Sequence, residues 1–156
     1  MIHFLPQTVL AEGTKYRPAV TLEAPAPSRD DVEADLTKLQ GSWLLVYWLY
    51  DGREQSAPGG KPVISFTADH FTIRVGQEVI ERGRFEAMTP ERSPKAFDYA
   101  PTEVAGKPVQ LKYPAIYLVE GDLFIACVGY GGGRPEAFSA RAERGQELVV
   151  YTRLQQ

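Results

Sequence analysis

With 156 residues, 44% of them hydrophobic and 24% charged, the chain is long enough to bury a core of its own and too apolar for general disorder. A net charge of −3 without any cluster of Lys and Arg argues against a nucleic-acid partner, because such a surface needs basic side chains to displace phosphate counterions. The single cysteine, Cys127, excludes an internal disulfide; with no basic, apolar leader at the start and no apolar run near the ~20 residues of a spanning helix, a cytoplasmic chain without a membrane span is expected.

Residues 1–27, punctuated by Pro6, Pro18, Pro25 and Pro27, are expected to form an arm, with Tyr16 and Val20 among its apolar anchors. The barrel domain is expected over 28–156, including a leading helix. Ser28 has the form of a helix N-cap, followed by Asp30 and Asp31 where acidic residues favour the helix dipole. The helix should run to about residue 40, with Val32, Leu36 and Leu39 on one apolar stripe and Gly41 as its stop.

The run 41–50 then predicts the first strand. Period-two alternation places Trp43, Leu45, Tyr47 and Leu49 on one face, and Leu44, Val46, Trp48 and Tyr50 on the other. Both faces are apolar. The second row therefore needs a cover, expected from residues 14–22 or the helix, anchored by Tyr16, Val20, Val32 and Leu36, in the same chain or in a second copy. A homo-oligomer through the arm and this strand is accordingly one expected partnership.

Turn signals at Asp51-Gly52, the Gly- and Pro-rich stretch 57–62, Ala68-Asp69, Gly76-Gln77 and Glu120-Gly121 separate further strands at 63–67, 70–75, 78–87, 95–100, 109–119, 122–128 and 147–153. Eight strands joined mostly by short turns, with no helix long enough for a parallel crossover, predict an all-β, antiparallel up-and-down barrel, with a two-sheet sandwich as the alternative.

Gly41-Ser42-Trp43 on the first strand and Arg153 on the last resemble the Gly-x-Trp and closing Arg of lipocalin-like, calycin-type barrels. With Leu39-Gln40, Phe71-Thr72-Ile73, Gly83-Arg84-Phe85, Ile116-Tyr117, Gly121-Asp122, Cys127 and Arg134-Pro135-x-x-Phe138, residues 36–154 are similar to an uncharacterised lipocalin-like domain family enriched in planctomycetes. That resemblance implies a barrel in which Gly41, Trp43 and Arg153 are structural, and it brings no catalytic residues with it.

The inward set expected from alternation is Leu45, Tyr47, Ile64, Phe66, Phe71, Ile73, Val79, Phe85, Tyr117, Phe124 and Val150, most of it simply core, which favours a filled interior while remaining compatible with a hollow barrel. Glu81 shares the face of Val79, Gly83 and Phe85, and a buried carboxylate needs a partner: a ligand, a nearby Arg, or water at the barrel mouth, unless a bulge flips the register and puts it outside. The glycines of 129–133 suggest a mouth loop from which Tyr130 and Arg134 touch a ligand. Candidate ligand-binding residues are thus Tyr47, Phe71, Glu81, Phe85, Tyr117, Tyr130 and Arg134.

With only His3 and His70, no metal site, Ser-His-Asp triad or cofactor is expected, and Cys127 in its apolar strand reads as a structural thiol. Three functions remain open: a binding module for a small, partly apolar molecule; an interaction or self-association module with a filled barrel; and a barrel enzyme of isomerase or cyclase type using an interior Glu or Tyr.

Overall fold

The computed structural model describes residues 29–142 and 144–155. The arm 1–27, its anchors Tyr16 and Val20, and the cap at Ser28 lie outside them. Helix α1 (Arg29–Leu39) is followed by ten strands: β1 (Gly41–Tyr50), β2 (Arg53–Glu54), β3 (Val63–Thr67), β4 (His70–Val75), β5 (Glu78–Thr89), β6 (Lys95–Val104), β7 (Lys107–Pro108), β8 (Tyr113–Glu120), β9 (Leu123–Gly129) and β10 (Gln146–Arg153). The eight longer ones pair antiparallel in chain order, and β10 returns to pair with β1, closing the barrel. Three boundaries differ from expectation by two residues or more: β5 runs on to Thr89, β6 runs on to Val104 and turns back as β7, and β8 begins only at Tyr113, while Val109 N and Leu111 N donate to Thr102 O and Pro101 O of β6.

One end is sealed by α1. Leu39 and Trp43 are fully buried, the Trp43 Nε1 donates to Leu39 O at 2.8 Å, and Val32 and Leu36 pack on the same core. Val32 and Leu36 therefore close the barrel end rather than cover the outer face of β1. Asp35, buried on the same helix, accepts the Tyr117 hydroxyl at 2.6 Å and the Lys95 ammonium at 3.0 Å. Above this plug the interior is filled by aromatic rings, with Phe85 stacked on Phe97 at 4.0 Å and Phe124 on Tyr151 at 5.4 Å. Gly83 is required here: a Cβ would stand 2.7 Å from the Phe71 ring and 2.5 Å from Ala100 O.

Bulges decide what faces inward farther along. Leu45 pairs with Tyr151, but Tyr47 pairs with Val150, so one extra residue at Val46 reverses the alternation. Trp48 consequently turns in, opposite Val149, while Tyr47 and Val150 turn out. The expected outer row of four is broken: Val46 is 44% exposed and Tyr47 40%, whereas Trp48 has left it. A second extra residue, Ile80, takes Val79 out of the inward set, since Ile73 pairs with Glu81 and Arg74 with Val79.

After Tyr130, which turns into the barrel, the connection packs on the outside of the wall through Arg134, Phe138 and Ser139 instead of forming a mouth loop. Phe138 joins Ala96, Ile116, Cys127 and Leu148 in a second small apolar cluster on that side. Arg134 is fixed there by Phe97 O at 2.6 Å, Ala115 O at 2.7 Å and the Asp98 carboxylate at 2.9 Å.

Candidate functional site

Beyond the aromatic filling, toward the end opposite α1, the barrel leaves a cavity of about 140 Å³. Its floor is Phe85, Phe124 and Tyr151, its sides include Leu45, Ile64, Ile73, Val128 and Val149, and Trp48, Tyr99 and Tyr130 add further rings. Two carboxylates, Glu81 and Glu147, face this apolar space.

Each is delivered by strand parity. Arg153 lies over Trp43 inside the barrel, so Tyr151, Val149 and Glu147 follow on the same face of β10. The bulge at Val46 brings the Trp48 indole to meet Glu147, and the strand that ends at Gly129 delivers Tyr130 beside it. Trp48 Nε1 donates to Glu147 Oε2 at 2.8 Å, and the Tyr130 hydroxyl donates to Glu147 Oε1 at 2.9 Å. Tyr130 is held in turn by edge contacts with Tyr113 at 4.6 Å and Tyr50 at 6.2 Å between ring centroids.

Glu81 is less well served. Its Oε2 is buried without a hydrogen-bond partner among the described residues. Burial, and secondarily the charge of Glu147, pushes its carboxyl up to about 7. Glu147 is raised as well, because burial outweighs the two donors that favour its charged form. The Tyr130 and Tyr151 hydroxyls are pushed up too, by burial first and then by the Glu147 charge. The site thus holds two carboxyl groups in a poorly solvated space that disfavours ionising both.

Of the candidate residues read from the sequence, Glu81, Phe85 and Tyr130 come together on this cavity. Phe71 sits behind its wall, stacked on Tyr99 at 5.3 Å, and Tyr117 is at the plug end, bonded to Asp35. Tyr47 instead lines an outer cleft of about 280 Å³ with Val46 and residues 54–57, and Arg134 is on the outer wall. Trp48, Tyr99, Glu147 and Tyr151 were not among the candidates. The two-residue step back from Arg153 through Tyr151 and Val149 is the signal that locates Glu147.

In volume the cavity is close to the ~150 Å³ apolar void that accepts benzene and below the ~300 Å³ at which drug-sized pockets begin, so it suits a single ring or a short chain. Among the described residues no three His, Cys, Asp or Glu are grouped to hold a metal ion, and no helix is long and apolar enough to cross a membrane. No family model, no curated protein and no solved structure matches the chain.

Proposed function

We propose that this barrel is a lipocalin-like binding module for a small, partly apolar molecule held at the Glu81–Glu147 end. The observation that carries this is a cavity with apolar and aromatic walls into which a buried, unpartnered carboxylate oxygen is brought. A barrel serving only as a scaffold gains nothing from leaving that oxygen unsatisfied, since an unpaired buried polar group costs roughly 1–3 kcal/mol. The plug of α1, Trp43 and Arg153 supplies the rigidity against which such a cup is shaped, in keeping with the resemblance to lipocalin-like domains.

The test is a titration of the full chain with toluene and phenol, followed by NMR. Saturable shifts confined to cavity residues such as Leu45, Trp48 and Val128, abolished when Val128→Phe fills the space, are expected. A folded protein that shows no saturable response at millimolar probe would overturn the proposal. A carboxyl near neutrality in a cavity is also what proton transfer requires, which favours an isomerase-type enzyme as the second reading. Turnover of a bound compound, rather than its recovery unchanged, would select that one.

A further inference from the structure

We infer that the molecule held between Glu81 and Glu147 is a small organic cation, a protonated amine carried on a single ring or short apolar chain. This rests on the binding function just proposed and names the chemical class of its ligand.

Elsewhere the protein gives its partly or fully buried acids a partner. Asp35 has the Lys95 ammonium at 3.0 Å, Asp98 has the Arg134 guanidinium at 2.9 Å, and Asp69 has Arg84 at 2.8 Å. Each of these three is matched by a cation, and half-buried Asp51 by two backbone N–H groups, those of Arg144 and Gly145. At the cavity the pattern breaks: two carboxylates line it, and none of the lining residues is Lys, Arg or His. Among the described residues, Glu147 is satisfied only by neutral donors, Trp48 and Tyr130, and Glu81 Oε2 by none. What is missing from the site is a positive charge with N–H groups.

Every strand around Glu81 agrees. On one side β4 presents Ile73, and on the other β6 presents Val104 as its direct partner and Tyr99 in the cavity wall. From across the barrel come Glu147 and Tyr151 of β10 and Tyr130 beyond β9. The neighbouring cation on its own strand, Arg82, is engaged with Glu103 at 3.5 Å. Burying a carboxylate is costly unless it is paired, so an ammonium entering here supplies the counter-charge and donors that the described residues do not. The rings of Trp48, Tyr99 and Tyr130 favour the same guest, because aromatic faces attract cations most strongly when water is excluded. The volume limits its apolar part to roughly the size of a benzene ring.

The experiment compares benzylamine with its near-isosteres benzyl alcohol and toluene, binding to the full chain at pH 7.5 and read by calorimetry. Benzylamine is expected to bind at least tenfold tighter than benzyl alcohol, and Glu81→Gln to reduce that preference at least fivefold while toluene binding is retained. Should Glu81→Gln fail to fold, the wild type still decides. At pH 6.5 benzylamine should release protons from the carboxyl pair, seen as a binding enthalpy that varies with the buffer's heat of ionisation, whereas toluene should not. If toluene or benzyl alcohol binds as tightly as the amine, or no proton is released, the cation is wrong and the binding function stands. If none of the three binds, both fall.

Discussion

The guanidinium of Arg153 lies 4.1 Å from the centroid of the Trp43 ring, so the last strand of the barrel closes over the first through a cation on an aromatic face. The same side chain donates to Lys38 O at 2.7 Å, Gln40 O at 3.1 Å and Gly121 O at 3.3 Å, tying the end of α1 to the β8–β9 turn. Arg153→Ala is expected to cost about 1–3 kcal/mol, from a partly desolvated cation–π contact and lost hydrogen bonds. Arg153→Lys, which keeps the charge but not the fork, should fall between. An unchanged urea midpoint in the alanine variant would show that the closure contributes nothing.

At the plug, Asp35 is 3% exposed and holds both the Tyr117 hydroxyl and the Lys95 ammonium. Asp35→Ala strands these two groups; allowing for the partial exposure of Lys95, it should destabilise by about 2–4 kcal/mol. A double-mutant cycle with Tyr117→Phe should give a coupling of about 1–2 kcal/mol. Strict additivity would mean that the two side chains act independently.

The raised carboxyl of Glu81 has a definite sign in stability. Below about 4.5, its ordinary value, folded and unfolded chains are both protonated and there is no penalty. Between there and about 7 the folded state keeps a proton that the unfolded state has lost, so stability falls as pH rises. Above about 7 the loss is complete, on the order of 3 kcal/mol. Relative to Glu81→Gln, the wild type should therefore lose about that much between pH 4.5 and 8. Parallel stability curves for the two proteins would contradict the burial of this group.

Cys127 is fully buried, its Sγ 3.1 Å from Ser139 O, and burial pushes the thiol up to about 11. A thiol so raised is almost entirely protonated at pH 8, and the connection 130–145 covers it. The native protein should resist a disulfide reagent at that pH and react stoichiometrically in denaturant. Rapid labelling of the folded chain would mean that the outer cluster opens readily.

Most strand positions and the inward aspect of Glu81 were legible in the sequence because turn residues and alternation are local signals, and the closing pair Trp43 and Arg153 was legible from its place on the first and last strands and the resemblance to lipocalin-like barrels. The bulges at Val46 and Ile80 were not. Nothing in Leu-Leu-Val-Tyr-Trp marks which residue is extra, and a single added residue sends Tyr47 outward and Trp48 into the cavity. Glu147 was recoverable in principle, since placing Arg153 inside the barrel is incompatible with an inward Val150. The Gly-rich segment misled for a different reason: its glycines ease a close crossing, with Gly129 set directly against Gly133 O, rather than swing a gate.

The wall made of β6, β8 and β9 has Phe97, Tyr117 and Phe124 on its inner side and Ala96, Ile116 and Cys127 beneath the folded-back connection on its outer side. Among the described residues, the opposite strands β3 and β4 have a core on one side only. Opening the doubly covered strands exposes two apolar layers at once, so the barrel should come apart from one flank. In native-state hydrogen exchange the central amides of β8 and β9 should be the last to acquire deuterium, exchanging only through global unfolding, while those of β3 and β4 exchange through smaller, local openings.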